Sequence, residues 1–150
     1  MIDRRGFLIG TASLGLLASC GPAGPGSVTV VAQGTAGMNP GPDGSDRPLT
    51  LQIVQLRGSG AFDGADFFAL QNPSGALGGD FIKGDQIALA PGGTATRSIT
   101  LDPGAVMIGV IAGFRDPAGK VFRAKSSVSP TADVTFRIDV GSGGISLVPA

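Results

Sequence analysis

No histidine, tryptophan or tyrosine occurs in this 150-residue chain, and its 11 acidic side chains are all aspartates. Without histidine, hydrolysis by a serine or cysteine with an imidazole base is excluded. With one cysteine as well, so are the usual zinc and copper centres and any disulfide within the chain. Lacking tryptophan and tyrosine, the chain has no indole or phenol ring for stacking on a glycan. Eleven basic residues balance the eleven acidic ones, so there is no clustered positive charge of the kind that nucleic acid requires. The catalysts left are a carboxylate pair or a serine beside Lys83, Lys120 or Lys125. Asp63, Asp66, Asp80, Asp85 and Asp116, however, fall at helix starts and turns, where capping accounts for them. The chain reads as a non-enzyme without cofactor, metal or small-molecule substrate.

The single cysteine, Cys20, stands where an apolar run gives way to "GPAGPGS". Upstream, Arg4 and Arg5 precede the apolar segment Gly6 to Ala18, which is shorter than the roughly 20 residues that span a bilayer. Residues 1–19 therefore read as an export signal. Its end, Leu17-Ala18-Ser19-Cys20, resembles the bacterial lipobox, in which the thiol takes a diacylglycerol before cleavage makes the cysteine residue one. Asp3 to Leu8 is similar to a twin-arginine signal, although a Sec signal with two arginines fits the same residues. Gly21, in place of an aspartate, points to the periplasmic face of the outer membrane. Residues 20–27 read as lipidated cysteine and flexible tether, and 28–150 as one domain. Losing Asp3, Arg4 and Arg5 with the leader leaves nine basic and ten acidic residues, so the mature chain stays near neutral. Several acyl chains on one cysteine give stable attachment where a single chain would not.

Two-residue alternation and short apolar runs bounded by Gly, Pro, Asn and Asp predict strands. They fall at Val28 to Gln33, Leu49 to Arg57, Asp85 to Leu89, Thr94 to Leu101, Ala105 to Arg115, Val121 to Ser127, Val134 to Val140 and Ile145 to Val148. This spacing predicts an all-β, two-sheet sandwich. In "VTFRIDV", Val134, Phe136, Ile138 and Val140 point inward; in "LTLQIVQL", Leu49, Leu51, Ile53 and Gln55 share a side. Gly109 and Gly113 mark a bulge or a close approach, and "DPAG" (Asp116 to Gly119) a hairpin turn. One helical interruption is expected in "AFDGADFFALQN", with Phe62, Ala65, Phe68 and Ala69 along one face and Asp63 and Asp66 in its first turn. Gly64 weakens it, so Phe62, Phe67 and Phe68 must supply tertiary contacts.

Two weak motifs have simpler explanations. Gly58-x-Gly60-x-x-x-Gly64 superficially has dinucleotide-fingerprint spacing, but no strand-helix succession surrounds it. Asn39, Asp43 and Asp46 could offer oxygen ligands to calcium, yet their spacing matches no calcium loop. The stretch that simple structure does not explain is Gly34 to Arg47. Its fourteen residues link the first two strands, far more than a hairpin needs. Pro40 and Pro42 restrict its freedom, and Met38 is expected to offer an adaptable apolar contact.

The lipobox, "VTVVAQGTAGMNPGPDGSDRPLTLQIVQL", "FDGADFFAL", "LGGDFI", "LAPGG" and "IGVIAGFRD" together resemble, over nearly the whole mature chain, the type VI secretion lipoprotein family TssJ, also called VasD or SciN. That resemblance implies a transthyretin-like sandwich with an added helical element. It also implies a non-catalytic role, binding the periplasmic C-terminal region of TssM and tying the trans-envelope complex to the outer membrane. It further implies that the loop between the first two strands contributes to the contact. Here that assigns Met38, Asn39, Pro40, Gly41, Pro42, Asp43 and Gly44 to partner binding. A generic envelope lipoprotein and a small-ligand sandwich module are the alternatives.

Overall fold

A computed structural model describes residues 24–150. The expected leader 1–19, Cys20 and the tether residues up to Ala23 lie outside the described residues.

Eight strands form: β1 (Ser27–Gly34), β2 (Leu49–Leu56), β3 (Phe81–Leu89), β4 (Thr94–Thr100), β5 (Met107–Ala112), β6 (Arg123–Ser127), β7 (Val134–Gly141) and β8 (Gly144–Pro149). They build two four-stranded sheets, ordered β4-β1-β7-β8 and β3-β2-β5-β6. The architecture is the all-β, two-sheet sandwich that the alternation predicts. Every pairing is antiparallel except β1 with β7, which run parallel from Val28 opposite Val134. The inward set of β7 behaves as its pattern dictates, with Phe136, Ile138 and Val140 fully buried and Val134 packed at the core's margin. β3 starts four residues earlier than expected, because Phe81 to Gly84 pair along the far half of β2, with a register shift at Gln55/Leu56. β5 is shorter than expected. At its start the Ala105 N–H turns back to the Asp102 carbonyl, and at its end Gly113 makes one last bond to Thr50 of β2 before the chain leaves the sheet.

Gln55 is the polar exception inside the sandwich. Its side-chain amide donates to the Thr100 carbonyl at 3.0 Å and its oxygen accepts the Asp102 N–H at 2.8 Å, so both of its ends are satisfied. It ties one sheet to the other where a leucine would leave two backbone groups unpaired.

The helical interruption differs from expectation. Instead of one helix there are three short ones, α1 (Gly60–Gly64), α2 (Phe67–Leu70) and α3 (Pro73–Leu77), followed by a 3₁₀ turn over Gly78–Asp80. Asp66 breaks the expected helix. It adopts an extended conformation and its carboxylate caps α2 by accepting the Ala69 N–H at 2.8 Å, a bond available only at a helix start. The expected apolar face is broken with it. Phe62 is buried, while Phe68 is 78% exposed.

These helices cover the outer face of the β3-β2-β5-β6 sheet. Val54, Leu56, Phe62, Leu70, Leu77 and Ile111 form a second core there. β2 is therefore buried on both faces, which is why "LTLQIVQL" is apolar at positions beyond its alternation. Gly109 is the close approach predicted for it. A Cβ there would come within 2.7 Å of the Phe62 ring. Two arginines hold the insertion to the sheet: Arg57 donates to Gly79 and, at the start of β3, to Phe81, and Arg123 donates to Phe62 and Ala65.

The sandwich has two distinct ends. The chain comes in at one of them, where the Gly26 N–H donates to Pro130 and the Gly26 carbonyl accepts from Leu101. Gly26 and Ser27, read as tether, are thus already bonded into the domain. β1 then runs its eight residues, about 25 Å at 3.3 Å per residue, to the opposite end. There Gln33 faces both Thr94 and Asp139, and the β1–β2, β3–β4, β5–β6 and β7–β8 connections all cluster.

Candidate partner-binding loop

The β1–β2 connection at this far end is an ordered structure. Pro40 and Asp46 form an isolated antiparallel bridge, and the Arg47 N–H donates to the Asn39 carbonyl at 2.9 Å. A tight turn closes the tip. The Gly44 N–H donates to Gly41 and the Gly41 N–H to Ser45, with Gly44 at φ +84°, a conformation that a side chain would strain.

The base of the loop is a polar anchor around two residues. Asp46 accepts the N–H groups of Gly37, at 2.6 Å, and Asn39, at 3.4 Å. Asn39 is almost fully buried. Its amide donates to the Pro48 carbonyl at 2.9 Å and its Oδ1 accepts the Arg115 N–H at 2.9 Å. Arg115 also donates from Nε to the Pro40 carbonyl at 2.8 Å. The β5–β6 connection therefore holds the β1–β2 loop from outside.

The assigned residues separate into two groups. Met38, expected to offer an apolar contact, is fully buried in the main core, because the chain turns inward between Gly37 and Asn39. It cannot touch a partner. Asn39 is likewise removed from the surface by its own hydrogen bonds, and Gly41 is covered by the Arg47 guanidinium, which leaves no space for a Cβ. Pro40 is half-buried, and Pro42, Asp43 and Gly44 are exposed together with Ser45 and Arg47.

Asp43 organises the tip electrostatically. Its carboxylate accepts from the Ser45 hydroxyl at 2.8 Å, the Ser45 N–H at 3.2 Å and the Arg47 guanidinium at 3.4 Å. These bonds favour the charged form and hold its pKa below the usual 3.8, the Ser45 hydroxyl contributing most. Asp43 and Asp46 thus spend their oxygens on the loop itself. Among the described residues, no three Asp or Cys side chains converge on a point that could hold a metal ion, and no helix is long and apolar enough to cross a membrane.

Sequence reasoning missed the two residues that shape the loop most. The spacing of Asp46 matches no calcium loop and gives it no other role, and Arg115 stands out only as part of "IGVIAGFRD". The available signal was an arginine at the mouth of a turn, but its target lies far away in the chain.

A stiff two-sheet sandwich with a helical cover and a preformed surface loop defines a structural or adaptor domain. The chain belongs to the type VI secretion lipoprotein family (VasD, EvfM, TssJ, VC_A0113), whose family model matches residues 27–143. That family consists of structural lipoproteins of the secretion membrane complex, not enzymes. Among solved structures, the chain is similar to the T6SS lipoprotein TssJ1 from Pseudomonas aeruginosa, at 30% identity over 85% of this chain and 98% of that one, with a TM-score of 0.76. It is also similar to Serratia marcescens Lip, described as a membrane-bound component of the type VI secretion system, at 25% identity over 81% and 96% of the chains and a TM-score of 0.74. A chain of the structure described as the T6SS protein TssM C-terminal domain from EAEC matches at 25% identity over 83% and 98%, with a TM-score of 0.71. Among curated proteins, no sequence matches the chain.

Proposed function

We propose that this protein is an outer-membrane lipoprotein, acylated at Cys20 after removal of residues 1–19, whose β1–β2 loop grips the periplasmic C-terminal region of TssM. In this reading residues 20–25 are the tether and the sandwich is the load-bearing body. Acyl chains supply the anchor at about 0.8 kcal/mol per buried methylene, without a spanning segment. The surface that meets the partner is Pro40, Pro42, Asp43 and Gly44, with Ser45 and Arg47 beside them.

The observation that carries the proposal is the polarity of the domain. The chain comes in at one end, next to Pro130 and Leu101, and the exposed loop stands at the other, one strand length away. A bilayer at the first end leaves the loop facing into the periplasm. The family membership supports the setting, and a chain similar to this one within a structure described as the TssM C-terminal domain supports the partner.

The test is co-purification of the full-length, detergent-extracted protein with the periplasmic region of TssM. Replacing Pro42, Asp43 and Ser45 with alanines, with Gly44 kept at its positive-φ turn position, should weaken capture with little change in melting temperature. Cys20→Ser should leave binding in solution intact while abolishing membrane fractionation and secretion. Undiminished capture by the loop variant would sink the loop assignment, and secretion by the Cys20→Ser strain would sink the anchor.

A further inference from the structure

Six arginines lie among the described residues, and five have either a carboxylate partner or a bonded terminal nitrogen. Arg47, Arg97 and Arg137 pair with Asp43, Asp85 and Asp139. Arg57 and Arg123 direct terminal nitrogens at carbonyls of the helical insertion and the start of β3. Arg115 has neither; Arg137 also donates from Nε alone, but to a carboxylate, whereas Arg115 faces only a neutral carbonyl. It uses Nε alone, on the Pro40 carbonyl, and its two terminal nitrogens meet no partner among the described residues.

Its surroundings offer no carboxylate to fill that vacancy. Neighbouring Asp116 directs Oδ1 at the Ala118 N–H, Asp43 is engaged by Ser45 and Arg47, and Asp46 by the amides of Gly37 and Asn39. Nor is Arg115 a loosely swinging side chain. Its backbone N–H is held by Asn39 and its Nε by Pro40, so backbone and guanidinium are both tied to the loop while the residue stays exposed.

We infer that Arg115 is a contact residue of the partner surface, one that receives a carboxylate from an acidic side chain of the protein held by the β1–β2 loop. The chemistry follows from the geometry. A planar guanidinium with its outer nitrogens free matches the two oxygens of a carboxylate, and a fork already held in place gives up little rotamer freedom on pairing. Arginines in such positions are over-represented among the residues that dominate interface energetics. The inference rests on the loop being the partner-binding element, and it adds a residue from a different connection, outside Gly34 to Arg47.

The experiment compares full-length parent, Arg115→Met, Arg115→Lys and Asn39→Ala for affinity toward the periplasmic region of TssM at low and raised ionic strength. Arg115→Met should bind about tenfold more weakly at low salt and lose most of the salt dependence, because the screened ion pair is gone. Arg115→Lys, which keeps the charge without the fork, should retain salt dependence and recover part of the affinity. Asn39→Ala, which disturbs the loop without removing a charge, should weaken binding with its salt dependence unchanged. Parent-like affinity in Arg115→Met overturns the inference. So does a loss of affinity with unaltered salt dependence and faster amide exchange in the loop, since Arg115 would then only position it. If the parent itself fails to bind, the loop reading falls first and takes this inference with it; if only the loop variants weaken binding, that reading stands without Arg115.

Discussion

Asn39 and Arg115 are 76 positions apart in the chain, yet the Asn39 side-chain oxygen accepts the Arg115 backbone N–H at 2.9 Å. Together with the bond from the Asn39 amide to Pro48, this joins two connections into one surface and leaves no polar atom of the buried amide unused. Asn39→Ala should cost about 1–3 kcal/mol, because it orphans the Arg115 N–H and the Pro48 carbonyl together. Urea denaturation gives the stability, and hydrogen exchange should localise the loosening to residues 37–47. A loss spread evenly over the sandwich would contradict the anchor role.

Met38 and Asp43 are five residues apart but should respond oppositely to truncation. Met38→Ala empties a core position and should destabilise by about 2–5 kcal/mol. Asp43→Ala, at an exposed tip, should shift stability by less than about 0.5 kcal/mol. Thermal melts of the two variants side by side separate the buried from the exposed half of the loop.

Gly109 and Phe62 are matched in shape across the sheet and its helical cover. Gly109→Ala drives a methyl into the Phe62 ring and should cost about 1–3 kcal/mol. Phe62→Leu leaves a partly empty site, so adding Gly109→Ala to it should cost less than it does alone. A double-mutant cycle measures that coupling, and simple additivity would show that the two do not share the space.

Asp43 should titrate below an ordinary aspartate. Its folded-state pKa is depressed, first by the Ser45 hydroxyl and then by the Ser45 amide, so its contribution to the turn is present above its unfolded value of 3.8. That contribution is lost as pH falls through the lower folded value, and at neutral pH it is complete. Carboxyl carbon shifts followed against pH should place the midpoint below 3.8, and Ser45→Ala should move it back up.

The strands were legible because strand pairing writes itself locally. Val134, Phe136, Ile138 and Val140 alternate with polar neighbours whatever they pack against, and the same holds for the inner row of β2. The helical insertion was legible only in outline. A helical period can be read through Asp66, but whether that carboxylate lies on a helix face or caps a new one depends on where the chain is pulled by Phe62 behind it and Leu70 ahead of it. Phe68 then falls outside rather than in.

The β1–β2 loop shows the same division more sharply. Its length, its prolines and the absence of any regular pattern marked Gly34 to Arg47 as a feature to explain, and composition had already excluded most catalytic chemistry. Which of its residues face solvent was decided elsewhere. Met38 looks like any loop methionine until both sheets close over it, and Asn39 looks like turn chemistry until Arg115 arrives from the β5–β6 connection to meet it. The amino-acid sequence by itself determined what this protein can be built from and what chemistry it lacks, because periodicity and residue type are local properties. Only the tertiary structure decided which side chains are left free to meet another molecule, because exposure and hydrogen-bond satisfaction are settled between residues that are distant along the chain.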